Sequence, residues 1–141
     1  MTSLVSTIQT LAAPVGRLLL AAIFLISGLG KISGYTGTQG YMEMMGVPGG
    51  LLPLVIAVEV LGAVALILGW NARFAAFLLG GFSVVSGILF HLVPSFGMEG
   101  MEAQMQFISF LKNVSIGGGM GMIVALGAGA FSLDNRSVSA G

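Results

Sequence analysis

The chain has 141 residues, of which 56 % are hydrophobic, 7 % are charged and 23 are glycine, with five basic and five acidic side chains. Soluble domains carry about 25 % charged residues, so with a mean hydropathy of +1.04 most of this surface faces lipid and not water. Zero net charge excludes a basic field for nucleic acid, and the lack of cysteine excludes disulfides, thiolate nucleophiles and iron–sulfur ligation.

Residues 1–12 show neither the basic region nor the cleavage pattern of a signal peptide. Leu4, Val5, Ile8, Leu11 and Ala12 share one helical face, which predicts a short helix in the membrane interface, with a disordered segment as the alternative. A bilayer core about 30 Å thick takes roughly 20 helical residues, and four apolar runs approach that length. They cover about 14–32, 51–69, 74–93 and 114–133.

The first run begins near Arg17 and ends at Lys31. The connection after it is punctuated by Gly34, Gly37, Gly40, Gly46, Gly49 and Gly50, which predicts little regular structure beyond a turn at Tyr41–Met45. The second run carries Glu59 in its middle. The third opens at Arg73 and holds His91 near its end, with small residues Ala76, Gly80, Ser83 and Gly87 on one side. The fourth follows Lys112 and repeats Gly117, Gly121, Ala125 and Gly129 as a packing stripe. The polar tail from Asn135 is expected to fray.

The expected fold is therefore all-α: a four-transmembrane-helix antiparallel bundle in a single membrane domain, 1–141. Arg17, Arg73 and Arg136 fall on the side of both termini, and Lys31 and Lys112 on the other. This bias favours cytoplasmic termini.

Glu59 carries the most information. A carboxylate at mid-span costs about 2.5 to 3.5 kcal/mol, so it should face the bundle interior and be paired or protonated. It lies eight residues past Leu51, about 12 Å along a helix, and Lys31, His91 and Lys112 lie toward the same end of their own helices. Glu59, Lys31, His91, Lys112 and Arg17 are the candidate ligand- or proton-handling residues. The competing structural reading has both lysines snorkelling to headgroups and Glu59 tying two helices together.

One histidine provides neither two haem ligands nor a zinc set, so no haem or metal is expected on that basis. Six thioethers, Met42, Met44, Met45, Met98, Met101 and Met105, lie toward one side of the membrane and would suit Cu(I). Helical spacing of the last three equally fits an apolar interfacial edge.

The order of Arg17, Ser27-Gly28, Lys31, Glu59 with Gly62, Leu68-Gly69, Arg73, Leu111-Lys112-Asn113 and Ser132-Leu133-Asp134 resembles the DoxX family of small four-helix membrane proteins, over about Pro14 to Asp134. The resemblance implies a prokaryotic plasma-membrane protein. Some members are subunits of a thiosulfate to quinone oxidoreductase, and others are linked to membrane redox complexes and oxidative-stress tolerance. Without cysteine, the resemblance gives no support to a covalent sulfur intermediate here.

The leading expectation is a redox-associated membrane component acting with a quinone, non-covalently bound, or with a partner oxidoreductase. Its two carbonyls would accept from Lys31, Lys112 or His91, and its protons would come from Glu59 or His91. The alternatives are a non-catalytic accessory subunit, for which a protein partner or a homo-oligomer is expected, and a small-solute or Cu(I)-handling protein, for which no inverted repeat is visible.

Overall fold

The computed structural model describes residues 2–138, and side chains from 3 to 136. Helix α1 runs from Thr2 to Ser33, α2 from Tyr35 to Met44, α3 from Leu52 to Leu68 and α4 from Ala72 to Gly87; α5 spans Val93–Ser95, α6 Gly100–Leu126 and α7 Leu133–Val138. No strand occurs among the described residues, and four of these helical stretches are long and apolar enough to cross a membrane: Ser3–Ser33, Gly49–Leu68, Ala72–Ser95 and Gly100–Leu126.

Neighbouring pairs fix the direction of each span. Gly28 of α1 meets Val60 of α3, Gly62 of α3 meets Leu79 of α4, and Gly80 and Gly87 of α4 meet Met120 and Asn113 of α6. Residue numbers fall on α6 as they rise on α4, Gly69 just past α3 lies against Arg17 toward the other end of α1, and the short turn at 69–71 reverses the chain between α3 and α4, so the four spans are antiparallel. Around the bundle the order is α1, α3, α4, α6, and α1 and α6 touch only lightly. The buried core is small and made of Ala21, Phe24, Ala63, Leu66, Ala76, Leu79 and Met120 among others. Large side chains such as Leu19, Ile26, Leu61 and Phe77 point outward, which suits a hydrocarbon solvent.

Close approach depends on glycine at two seams. A Cβ on Gly28 would stand 2.7 Å from Val60 Cγ2 and 3.1 Å from Glu59 Cβ, and one on Gly80 would stand 2.9 Å from Met120 Cβ. The small face of α4 packs as expected, with Ala76, Gly80, Ser83 and Gly87 all buried. The stripe on the last span does not hold throughout. Gly117 meets Val84, but Gly121 faces open space, and Gly129 lies beyond the helix in a left-handed conformation.

Several boundaries differ from the sequence expectation. Residues from Thr2 onward are not a separate interfacial helix or a disordered arm but the start of α1, which passes through Pro14 without a break. Hydroxyls of Ser6, Thr7 and Thr10 bond back to carbonyls of Ser3 and Ser6, so these three hydroxyls are satisfied along the helix itself. The first connection is largely helical, as α2. Its tip is closed by Val47 N–H donating to the Met42 carbonyl.

The last span starts 14 residues before the expected position and ends at Leu126, so residues 127–132 form a turn, not a helix. The polar segment after it forms α7 as far as Val138; residues 139–141 of the tail expected to fray lie outside the described residues. At the end of α4 the helix widens into a π turn, Ile88–Leu92, before α5. Pro94 has no N–H to bond the Phe90 carbonyl four residues back. The Val93 N–H instead reaches Ile88 O, five residues back as in a π turn.

Candidate functional site

Ser27 and Lys31 are four residues apart on α1 and therefore share a face. Gly28 brings that face against α3 at Glu59. There Lys31 Nζ donates to Glu59 Oε1 at 3.1 Å and lies 3.0 Å from Oε2. Ser27 Oγ donates to the same Oε1 at 3.1 Å and accepts from Lys31 Nζ. Glu59 is 3 % exposed. Its Oε2 accepts no aligned hydrogen bond, so its contact with Lys31 is ionic and a lone pair remains open to a further donor.

The trio borders a cavity of about 360 Å³, within the range of small-molecule sites. Phe24, Val55, Phe82, Val85, Leu89, Phe90 and Ile116 form most of its wall, and Ser86, His91 and Asn113 add polar groups. His91 Nδ1 is 2.7 Å from Gln106 Oε1. The Gln106 amide holds the ring at Nδ1, and Nε2 is left as its second nitrogen. Asn113 is held from α4, where Ser83 Oγ donates to its Oδ1 at 3.0 Å and to its backbone carbonyl at 3.1 Å. Thr38, Tyr41 and Met42 of α2 border the cavity from its end, and Tyr41 stacks on Phe90 with ring centroids 5.6 Å apart.

Three of the five candidates thus border one cavity: Lys31, Glu59 and His91. Lys112 does not. It is exposed, and the neighbouring Asn113 takes the inward position.

Arg17 is also elsewhere, 14 residues or about 21 Å along α1 from Lys31. It is 2 % exposed and donates through Nη2 to the carbonyls of Phe131 at 2.8 Å and Ala130 at 3.3 Å. Beside it, Asp134 accepts from the N–H groups of Asn71 and Ala72 at 2.7 and 2.9 Å, capping the start of α4. Its own N–H donates to Gly69 O at 2.9 Å. Arg17 is a pin between α1 and the chain after α6, and the Leu68-Gly69 and Ser132-Leu133-Asp134 motifs meet at that pin.

Met42 is buried against the cavity, whereas Met44, Met101 and Met105 are largely exposed. Among the described residues no group of three or more histidines or carboxylates is placed to hold a metal.

Ser86 and Gln106 carry no signal in the sequence, and Ser27 and Asn113 stand out there only within motifs. The i, i+4 spacing of Ser27 and Lys31 was a usable signal. The pairing of His91 with Gln106 had none, because it depends on the rotation of α6 against the π turn.

The DoxX family model matches residues 12–92. The chain is 43 % identical over 120 residues to the inner membrane protein YqjF of Escherichia coli (strain K12), covering 85 % of this chain and 87 % of that protein. It is 35 % identical over 124 residues to the inner membrane protein YphA of the same organism, covering 86 % and 87 %. No solved structure matches the chain. With four apolar spans, a family match over more than half the chain and relatives of this identity and coverage, the protein is an integral membrane protein of the DoxX family.

Proposed function

We propose that the cavity beside Lys31 and Glu59 binds the headgroup of a membrane quinone, and that the protein acts as a redox-associated component together with an electron-donating partner. The observation that carries this reading is a buried carboxylate paired with a half-buried ammonium on the wall of a largely apolar cavity. An acid kept inside a membrane bundle is expensive, and here it borders space that a ligand can fill. The ammonium of Lys31 supplies donors for one quinone carbonyl. Reduction consumes two electrons and two protons; the electrons come from the partner and the protons from the aqueous phase, Glu59 and His91 each taking up one proton and passing it to a quinone oxygen. With no cysteine on the chain, no thiol–disulfide pair of its own stores the electrons.

A second reading, a non-catalytic accessory subunit, draws on a separate observation. The first turns of α1 leave Leu4, Val5, Ile8 and Leu11 exposed, a ridge that a partner subunit or a second copy would cover. We propose cytoplasmic termini in either case, a reading supported by the basic bias of that end.

The test is a quinone binding and reduction assay on protein in lipid nanodiscs, first alone and then with the partners that co-purify in mild detergent. Loss of quinone-linked turnover in Glu59→Gln, with the protein still inserted, supports the first reading. Full turnover in that variant, or undisturbed partner capture with no quinone dependence, supports the second.

A further inference from the structure

The cavity is covered at the end of the bundle where the membrane meets water. Tyr41 and Met42 of α2 border it there, with Met42 buried and Tyr41 stacked on Phe90. This cover is fastened at its far edge by Gln39 Nε2 donating to the Gly49 carbonyl at 3.3 Å. The flank between α1 and α6 differs. These helices touch only lightly, and the close approaches along this side, Leu20 to Gly119 of α6 and Ala13 to Gly129 of the turn after it, lie toward the Arg17 end. Nearer Lys31 it is the cavity that separates them, bordered by Ile23 on α1 and Ile116 on α6. Ile23 is 53 % exposed, so one side chain belongs both to the cavity wall and to the surface that meets lipid.

On this geometry, and resting on the quinone reading above, we infer that the site admits its ligand sideways from the bilayer between α1 and α6, and that the ligand is a small polar ring bearing a hydrocarbon tail, which lies over Ile23 and Ile116. A tail directed past α2 would be delivered to water, whereas a tail directed between α1 and α6 stays in hydrocarbon throughout. The ring then reaches the polar trio with its head while its chain never leaves the lipid phase. The same flank disfavours water-borne solutes, because Ile23 and Ile116, which border it, are apolar.

The experiment uses the full chain in nanodiscs and two probes with the same ring, a quinone with a long isoprenoid tail and its tailless counterpart. Ile23→Trp fills the α1–α6 flank. Val85→Trp fills the cavity from the far side of α4, since Val85 stands about 200° around that helix from Ser83, which faces α6. Ile23→Trp is expected to weaken the tailed quinone by about tenfold or more while weakening the tailless ring by less than about threefold. Val85→Trp is expected to produce no such selectivity. Ile116→Phe on the same flank should reproduce the selective loss and serves if Ile23→Trp does not fold. Equal weakening of both probes by Ile23→Trp and Ile116→Phe, or a selective loss in Val85→Trp, overturns the route. If the unaltered protein binds both probes, only the route has failed; if it binds neither, the quinone reading fails and takes the route with it.

Discussion

Arg17 Nη2 donates to the carbonyl of Phe131 at 2.8 Å and thereby joins α1 to the turn that follows α6, two segments separated by more than a hundred residues. Replacing Arg17 with Met removes a charged donor from two carbonyls in a site with almost no exposure. The expected loss is about 2 to 3 kcal/mol, read as a lowered midpoint of thermal unfolding in detergent. Because the site lies far from the cavity, binding of a tailless quinone by the folded fraction should not change.

The Lys31–Glu59 pair should behave as a coupled unit. Glu59→Gln leaves an ammonium half-buried beside a neutral amide, and Lys31→Met leaves a buried carboxylate with only Ser27 as donor. Each single change should destabilise more than the double variant, because breaking one side of a buried pair is worse than removing both. A double-mutant cycle by denaturant unfolding should give a coupling of about 1 to 3 kcal/mol; additive effects would show that the pair contributes nothing as a pair.

Glycine at the α4–α6 seam sets how close the two helices lie. Gly80→Leu forces bulk against Met120 and should cost about 1 to 3 kcal/mol. Gly121→Ala is the control. Its side chain would enter open space, so it should be neutral or stabilise by up to about 1 kcal/mol through helix propensity. Thermal unfolding of the two variants side by side distinguishes local packing from a general intolerance of substitution in the last span.

Asp134 caps the start of α4 through two backbone N–H groups. Asp134→Ala should cost about 0.5 to 2 kcal/mol and Asp134→Asn less, since the amide oxygen still accepts. Hydrogen exchange at the amides of Asn71 and Ala72 should rise in the alanine variant before any exchange change at Glu59.

The four spans, their antiparallel order and the family were legible in the sequence because a bilayer imposes one demand on every spanning segment. Backbone groups must be satisfied internally, so each span is a helix, and side chains must be apolar over about 20 residues. Glu59 stood out for the same reason, as the carboxylate that breaks the second run. Hydropathy is blind to where a helix ends, however. α6 starts near residue 100 because Glu102 and Lys112 sit on its exposed surface, where charge does not interrupt a helix; α2 forms despite its glycines because its buried face at Met42 packs over the cavity.

Rotation and packing decided the rest. Lys112 and Asn113 are adjacent in sequence and 100° apart on a helix, and the contacts of Asn113 with Ser83 and Gly87 turn the asparagine inward and the lysine out. Arg17 and Lys31 lie on one helix but at its two functional ends, one fastening the chain and one facing the cavity. Sequence by itself determined which residues must avoid lipid. Only the tertiary structure determined which of them meet, because that depends on how each helix is turned and on how closely glycine lets it approach its neighbour.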